Sequence, residues 1–372
     1  MLRQIGVEGI VTSLHGLQPG EVWSCEAVSA VRDAIEAGGL RWSVVESLPV
    51  SEAIKYGGPD RDALISNYIE SLDNLGRCGI RTVCYNFMPV IDWVRTDLHR
   101  PLPGGGSTLY FDYARYAYFD IRILGREDAE ADYSPEVLRR VEELEPLMQA
   151  GGRDELIDTI ITRTQGFING PLAVGNESPV EKFKALMRPY AGMDKAALRA
   201  NLKYFLEAVM PVCGKHGIDM CIHPDDPPMP VFGMPRLCCD ADDIRWILSA
   251  VDNPHNGLTF CAGSLSAGTH NDVPAMAREF ADRTRFVHLR SCYTLPGGDF
   301  VEAPHIGGGV DLAELCRIFE ATGRNLPMRV DHGKAILGDD VSGDNPGYGF
   351  HGRMLAFGQV CGILSTIERQ TI

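Results

Sequence analysis

The sequence predicts an α/β fold, a (β/α)8 TIM barrel, on three observations. One unit recurs along the chain: a polar-faced helix, a glycine, a short β-branched run, then polar residues. Those polar residues stand at the C-terminal ends of the strands, where barrel enzymes place their chemistry. The first strand is not followed by a G-x-G-x-x-G run, the mark of the competing dinucleotide-binding sheet. Strands of four to six apolar residues alternating with helices mean a parallel sheet covered by helices.

Taken in order, "GIVTSL" (9–14) is the first strand. In "VRDAIEAGGLRWSVVES" a helix ends near Gly38 and a strand leads to Glu46 and Ser47. "LISNYIESLDNLGRCGIRTVCYNF" repeats the unit, with Gly79 as helix stop and a strand over 83–87. "LKYFLEAVMPVCGKHGIDMCIHP" repeats it again, Gly217 preceding the strand that ends at His223. "NGLTFCAGS", "RFVHLRS" and "NLPMRVDHG" follow, each after a helical segment. The polar residues at the strand ends are Glu46, Asn86, His223, Cys261, His288, Asp331 and His332. That makes seven strands where a closed barrel has eight.

A long excursion, about 92–192, separates the strands of Asn86 and His223. It reads as loop-like "HRPLPGGGST", charged helical "SPEVLRRVEELEPLMQA" and a further helix around 157–164. Segments this long are usually functional lids or interaction surfaces; a solvated helical insert without chemistry is the alternative. No linker divides the chain, so a single domain over 1–372 is expected.

A hydrophobic content of 45% and a charged content of 23% are those of an ordinary globular chain. The net charge of −15 argues against a nucleic-acid partner, which needs a basic surface. An anionic small molecule stays open, and a divalent cation would help bind one. The 11 cysteines are odd in number, scattered and without a C-x-x-C pair. A reduced, cytoplasmic protein is expected. No apolar run reaches membrane-spanning length, so no membrane partner is expected.

Four strands end on metal-ligand types: His223, Cys261, His288 and Asp331. Each alone has an ordinary structural reading, such as a buried thiol or a helix cap. At four consecutive strand ends of one barrel they converge on one mouth, and metal binding becomes the better reading. Two imidazoles, a thiolate and a carboxylate suit Mn²⁺, Fe²⁺, Co²⁺ or Zn²⁺ rather than Mg²⁺ or Ca²⁺. In "CIHPDDPP", Asp225 and Asp226 follow His223 and either orient a ligand histidine from outside the ligand shell or serve the turn. His332 and Tyr348, the latter between two glycines, are candidate proton-transfer groups. A core aromatic is the rival reading of Tyr348. Arg290 is a candidate clamp on a substrate carboxylate, or else a surface ion pair. Asn86, at a strand end of the same mouth, is a candidate substrate contact.

The runs "RWSVVESLPV", "TVCYNFMPVIDWVRTDL", "HPDDPP", "TFCAGS", "FVHLRS", "RVDHGK" and "GDNPGYG" resemble the mannonate dehydratase family of hexuronate catabolism. The resemblance runs in order from about Gly9 to the region of Arg353. It implies a barrel related to the xylose-isomerase-like enzymes and dehydration of D-mannonate to 2-keto-3-deoxy-D-gluconate. It also implies a cofactor of the Mn²⁺ type, with Fe²⁺ or Co²⁺ as alternatives, and a homo-oligomer. The family's metal ligands fall on His223, Cys261, His288 and Asp331, and its functional histidine and tyrosine on His332 and Tyr348.

Two departures qualify the match. Family members carry a further segment with an "FRWYG"-like first strand, whereas residues 1–5 here read as the end of the first helix. The first barrel strand is therefore expected to be missing from the chain, which makes the insertion follow the fourth. The glycine run of "HIGGGVDL" lacks an expected acidic residue. Within enzymes the alternative is a divalent-metal sugar isomerase or epimerase of the same barrel class; outside them, a disabled sugar-acid-binding protein.

Overall fold

The structure, a computed structural model, describes residues 1–165, 178–339 and 345–371. Its strands are β1 (Gly9–Thr12), β2 (Arg41–Glu46), β3 (Thr82–Tyr85), β4 (Asp97–Pro101), β5 (Ser107–Phe111) and β6 (Asp219–Ile222). They continue as β7 (Asn256–Cys261), β8 (Thr284–His288), β9 (Cys292–Thr294), β10 (Phe300–Glu302) and β11 (Met328–Arg329). The order β1-β2-β3-β6-β7-β8-β11 forms one parallel sheet with the seven strands expected. β1 and β11 are its two edges, and among the described residues no eighth strand pairs with either.

The sheet curls. Val44, Cys84 and Phe286 pack together on its inside, with Val11 against them. Their neighbours Val45, Val83 and Val287 face the helices and join the large outer core. That alternation is the period-two pattern of a strand buried on both faces. The helices start where short polar side chains cap them: Ser24 accepts from the Ala27 amide, Asp194 from Ala197 and Asp240 from Asp243. The helix Lys195–His216 ends at Gly217, whose φ of 63° is the left-handed conformation glycine adopts without strain. The chain then enters β6 and is aimed at His223.

Two strands stop short of the expected ends, β1 at Thr12 instead of Leu14 and β3 at Tyr85 instead of Phe87. In both cases the chain peels away to line the mouth, with Ser13, Leu14 and Asn86 on its wall.

The insertion is only partly helical. Its helix Pro135–Leu147 lies where the sequence placed it, and the helix expected around 157–164 starts earlier, running through Arg153–Ile157 and on over Asp158–Arg163. The stretch "HRPLPGGGST", expected as a loop, is instead most of a β-hairpin, β4 pairing antiparallel with β5. The turn is closed by the Leu102 amide on the Gly106 carbonyl, with Gly105 and Gly106 at positive φ. The hairpin extends through β10 to β9 as a second, antiparallel sheet of order β4-β5-β10-β9. Residues 166–177 of the insertion, and Gly343 and Asp344 of the "GDNPGYG" run, lie outside the described residues.

Candidate metal centre and active site

His223 follows β6, Cys261 ends β7 and His288 ends β8, so three adjacent strands deliver them to one point. Their ligand atoms lie within 4.8 Å of one another. His223 Nδ1 is 2.7 Å from the Pro224 carbonyl. A carbonyl only accepts, so Nδ1 carries the proton and Nε2 presents a lone pair. His288 Nε2 lies 3.3 Å from Glu46 Oε1, while its Nδ1 is 3.3 Å from His223 Nε2. Burial alone would raise the Glu46 carboxyl, but Arg329 and then His288 outweigh it and hold it at about 2. His288 Nδ1 is thus the nitrogen turned to His223, with Nε2 on the Glu46 side.

Burial would likewise raise the Cys261 thiol. Arg290, then His223, outweigh it and bring it well below its usual value. Two imidazole lone pairs and a thiolate facing one another suit a borderline divalent cation. The residues present fit the expected metal.

Asp331, the expected fourth ligand, adjoins this cluster through His288, its Oδ2 3.5 Å from Nδ1. It lies two residues beyond β11 at φ 53°, a conformation rare outside glycine but tolerated by aspartate. Arg290 Nε donates to its Oδ2 at 2.6 Å, and Arg329 donates to its Oδ1. Arg329 also pairs with Glu46. The Tyr348 hydroxyl donates to Asp331 Oδ1 at 3.3 Å, and its ring meets the His332 ring edge-on at 5.1 Å. His332 Nδ1 lies 3.2 Å from Glu302 Oε1. Both candidate proton-transfer groups therefore face the same space as the metal ligands.

Arg290 is not a surface residue: 2% of its side chain is exposed. Its Nε, Nη1 and Nη2 donate to Asp331, Glu302 and Asp226. All three nitrogens are committed to protein carboxylates, so Arg290 supplies wall and counter-charge instead of the free fork a substrate clamp needs. Asp225 and Asp226 do not hold His223, whose hydrogen bond goes to Pro224. Asp225 accepts from the Leu237 and Cys238 amides at 3.0 and 2.7 Å, a structural role, but one that ties a segment 12 and 13 residues on and not its own turn. Asp226 touches the metal set at one remove: the Ser264 hydroxyl lies 3.2 Å from both Asp226 Oδ2 and Cys261 Sγ.

Asp226 also accepts from Arg95 Nη1 at 2.7 Å, and Arg95 Nη2 reaches Glu302 at 2.5 Å. Burial would raise the Glu302 carboxyl, but Arg290 and then Arg95 hold it at about 2. This buried group of two guanidiniums and two carboxylates depends on every partner being present. Asp226→Asn is expected to cost about 3 kcal/mol of folding stability, read as a shifted denaturation midpoint at unchanged slope.

Asn86 lines the cavity as expected. Its amide donates to Asp92, and its Oδ1 has no hydrogen-bond partner among the described residues. The cavity encloses about 290 Å³ and is walled by Glu46, Asn86, Trp93, His223, Arg329 and Tyr348 among others. Arg329, Glu302, Arg95 and Trp93 were not singled out from the sequence. Glu46 was seen at a strand end but given no role.

A family model described as D-mannonate dehydratase (UxuA) matches residues 1–372. The chain is 43% identical to the mannonate dehydratase of Marinomonas sp. (strain MWYL1) over 373 residues, 97% of this chain and 93% of that one. It superposes on the crystal structure of mannonate dehydratase from Streptococcus suis serotype2 with a TM-score of 0.78. There the identity is 32%, with 100% of this chain and 89% of that chain covered. A xylose isomerase domain protein from Alicyclobacillus acidocaldarius subsp. acidocaldarius shares the fold alone. It is 10% identical with a TM-score of 0.50, covering 99% of this chain and 92% of that one.

Proposed function

Because this chain belongs to the D-mannonate dehydratase family, we propose that the mouth holding His223, Cys261 and His288 is where it dehydrates D-mannonate. The activity is that of a hydro-lyase, giving 2-keto-3-deoxy-D-gluconate and water. The residue roles rest on one observation: three ligand side chains converge within 4.8 Å beside a cavity that His332 and Tyr348 also line.

In our reading His223, Cys261, His288 and Asp331 hold the cation, with Mn²⁺ first and Fe²⁺ or Co²⁺ as alternatives. When bound, it stabilises the negative charge that moves onto the substrate carboxylate as the C2 proton leaves. His332 and Tyr348 share the two proton transfers, one taking the C2 proton and the other protonating the departing 3-hydroxyl. Arg329, tied to Glu46 and Asp331, fixes the Tyr348 hydroxyl from 3.4 Å. Asn86 Oδ1 accepts from a substrate hydroxyl. The insertion over about 92–192 acts as a wall of this mouth within one domain, since Asp92 and Trp93 line the cavity.

Among the described residues no helix is long and apolar enough to cross a membrane. All eleven cysteines are free, which supports the cytoplasm as its place of work. Exposed Ile306, Leu337 and Leu355 support a homo-oligomer.

The test is turnover. Metal-stripped protein is expected to leave D-mannonate intact, and added Mn²⁺ to restore formation of the 2-keto-3-deoxy acid. An isomer of unchanged mass would instead indicate the isomerase alternative, and absence of any product the binding-protein alternative.

A further inference from the structure

Glu302 sits on β10, outside the barrel, yet its carboxylate reaches the active site. Oε1 is 3.2 Å from His332 Nδ1, and the residue is only 6% exposed. A carboxylate with two buried guanidiniums on it stays an acceptor, so it fixes the proton of His332 on Nδ1 and turns Nε2 away from itself. The ring is confined on its other sides by Trp93 at 5.5 Å and Tyr348 at 5.1 Å.

Glu302 is itself held from two directions. Arg95, from the start of the insertion, donates to it at 2.5 Å, and Arg290 Nη1 donates at 3.1 Å. Its backbone is fixed by the hairpin: Phe300 and Val301 pair with Phe111 and Tyr110, and the Thr108 hydroxyl donates to the Glu302 carbonyl at 3.4 Å. The links to Arg95 and His332 join residues far apart in the chain, 207 and 30 positions.

We propose that Glu302 is a positioning residue for the dehydration: the auxiliary sheet built on the insertion carries it, and it acts through His332 by setting the tautomer and orientation of that ring. The carboxylate makes no contact with the metal ligands His223, Cys261 or His288. Its direct contact with the proposed proton-transfer groups is through the His332 imidazole; a second link runs through Arg290 to Asp331, and the cycle below separates the two. The inference rests on the catalytic reading of His332 given above.

A double-mutant cycle tests it, with the metal-loaded full chain and D-mannonate. Glu302→Gln is expected to keep its metal and a KM within about threefold while kcat falls about 10- to 100-fold, the range for lost outer partners of active-site groups. In a His332→Asn background the same change is expected to alter kcat by less than about twofold, because the group it acts through is gone. Equal losses in both backgrounds overturn the proposal and give Glu302 a purely structural role. Should Glu302→Gln not accumulate folded, Glu302→Asp, which keeps the charge and shortens the reach, enters the same cycle. Failure of both to fold also assigns Glu302 to stability and overturns the proposal. His332→Asn by itself isolates the underlying reading: full activity there removes His332 from catalysis, whatever Glu302 does.

Discussion

Cys261→Ala is expected to lose metal and activity together. Among the described residues its sulfur is one of three ligand atoms that meet within 4.8 Å at the strand ends, and it is the one of those three that brings negative charge. Removing it leaves two imidazoles and the Asp331 carboxylate, which Arg290 and Arg329 already engage, with Arg290 deprived of a nearby anion. Metal affinity is expected to fall by more than about 100-fold, beyond the 10- to 100-fold cost of outer partners, so that bound metal is lost on gel filtration and turnover with it. Cys316 is the control. It is buried in the helix Leu312–Glu320, its thiol pushed up to about 12 by burial and then Glu320, and Cys316→Ala is expected to keep its metal. Metal retained at wild-type level in Cys261→Ala removes the thiolate from the ligand set.

Tyr348→Phe is expected to separate the two functions that Cys261 unites. Phenylalanine keeps the edge-on contact with His332 and deletes only the hydroxyl between Asp331 and Arg329. Metal content and folding are expected to match the wild type, while kcat falls by about 10² to 10⁴, the usual worth of a proton-transfer group. A wild-type kcat in Tyr348→Phe takes proton transfer away from the tyrosine and returns it to the core-aromatic reading.

The sequence showed the parallel strands because each is a short, mostly apolar run after a helix with a polar end, several of them opened by a glycine, as in Gly217 to His223. His223, Cys261 and His288 were legible for the same reason, since a strand end has a known direction in a barrel. The hairpin Asp97–Phe111 was not. Its first strand carries His99, Arg100 and Pro101 on exposed positions, and its turn is glycine-rich, so no apolar alternation marks it. Glu302 and Arg95 were hidden because their meaning lies in contacts across 207 residues, which no local pattern records. Arg290 showed the opposite fault. Its position beside the mouth was legible, but three carboxylates from distant segments fill its donors, and only the folded chain reveals that. Asp225 was read beside its neighbour as a pair, yet Asp225 faces the Leu237–Cys238 turn while Asp226 faces Arg95 and Arg290.

The central claim is a cation held by Cys261 with His223 and His288 at the barrel mouth, and the most direct measurement is X-ray absorption on the Zn²⁺-loaded chain. One sulfur neighbour at about 2.3 Å, with nitrogen or oxygen neighbours at about 2.0 to 2.2 Å, is the shell this account predicts. A wild-type spectrum with no sulfur neighbour contradicts it.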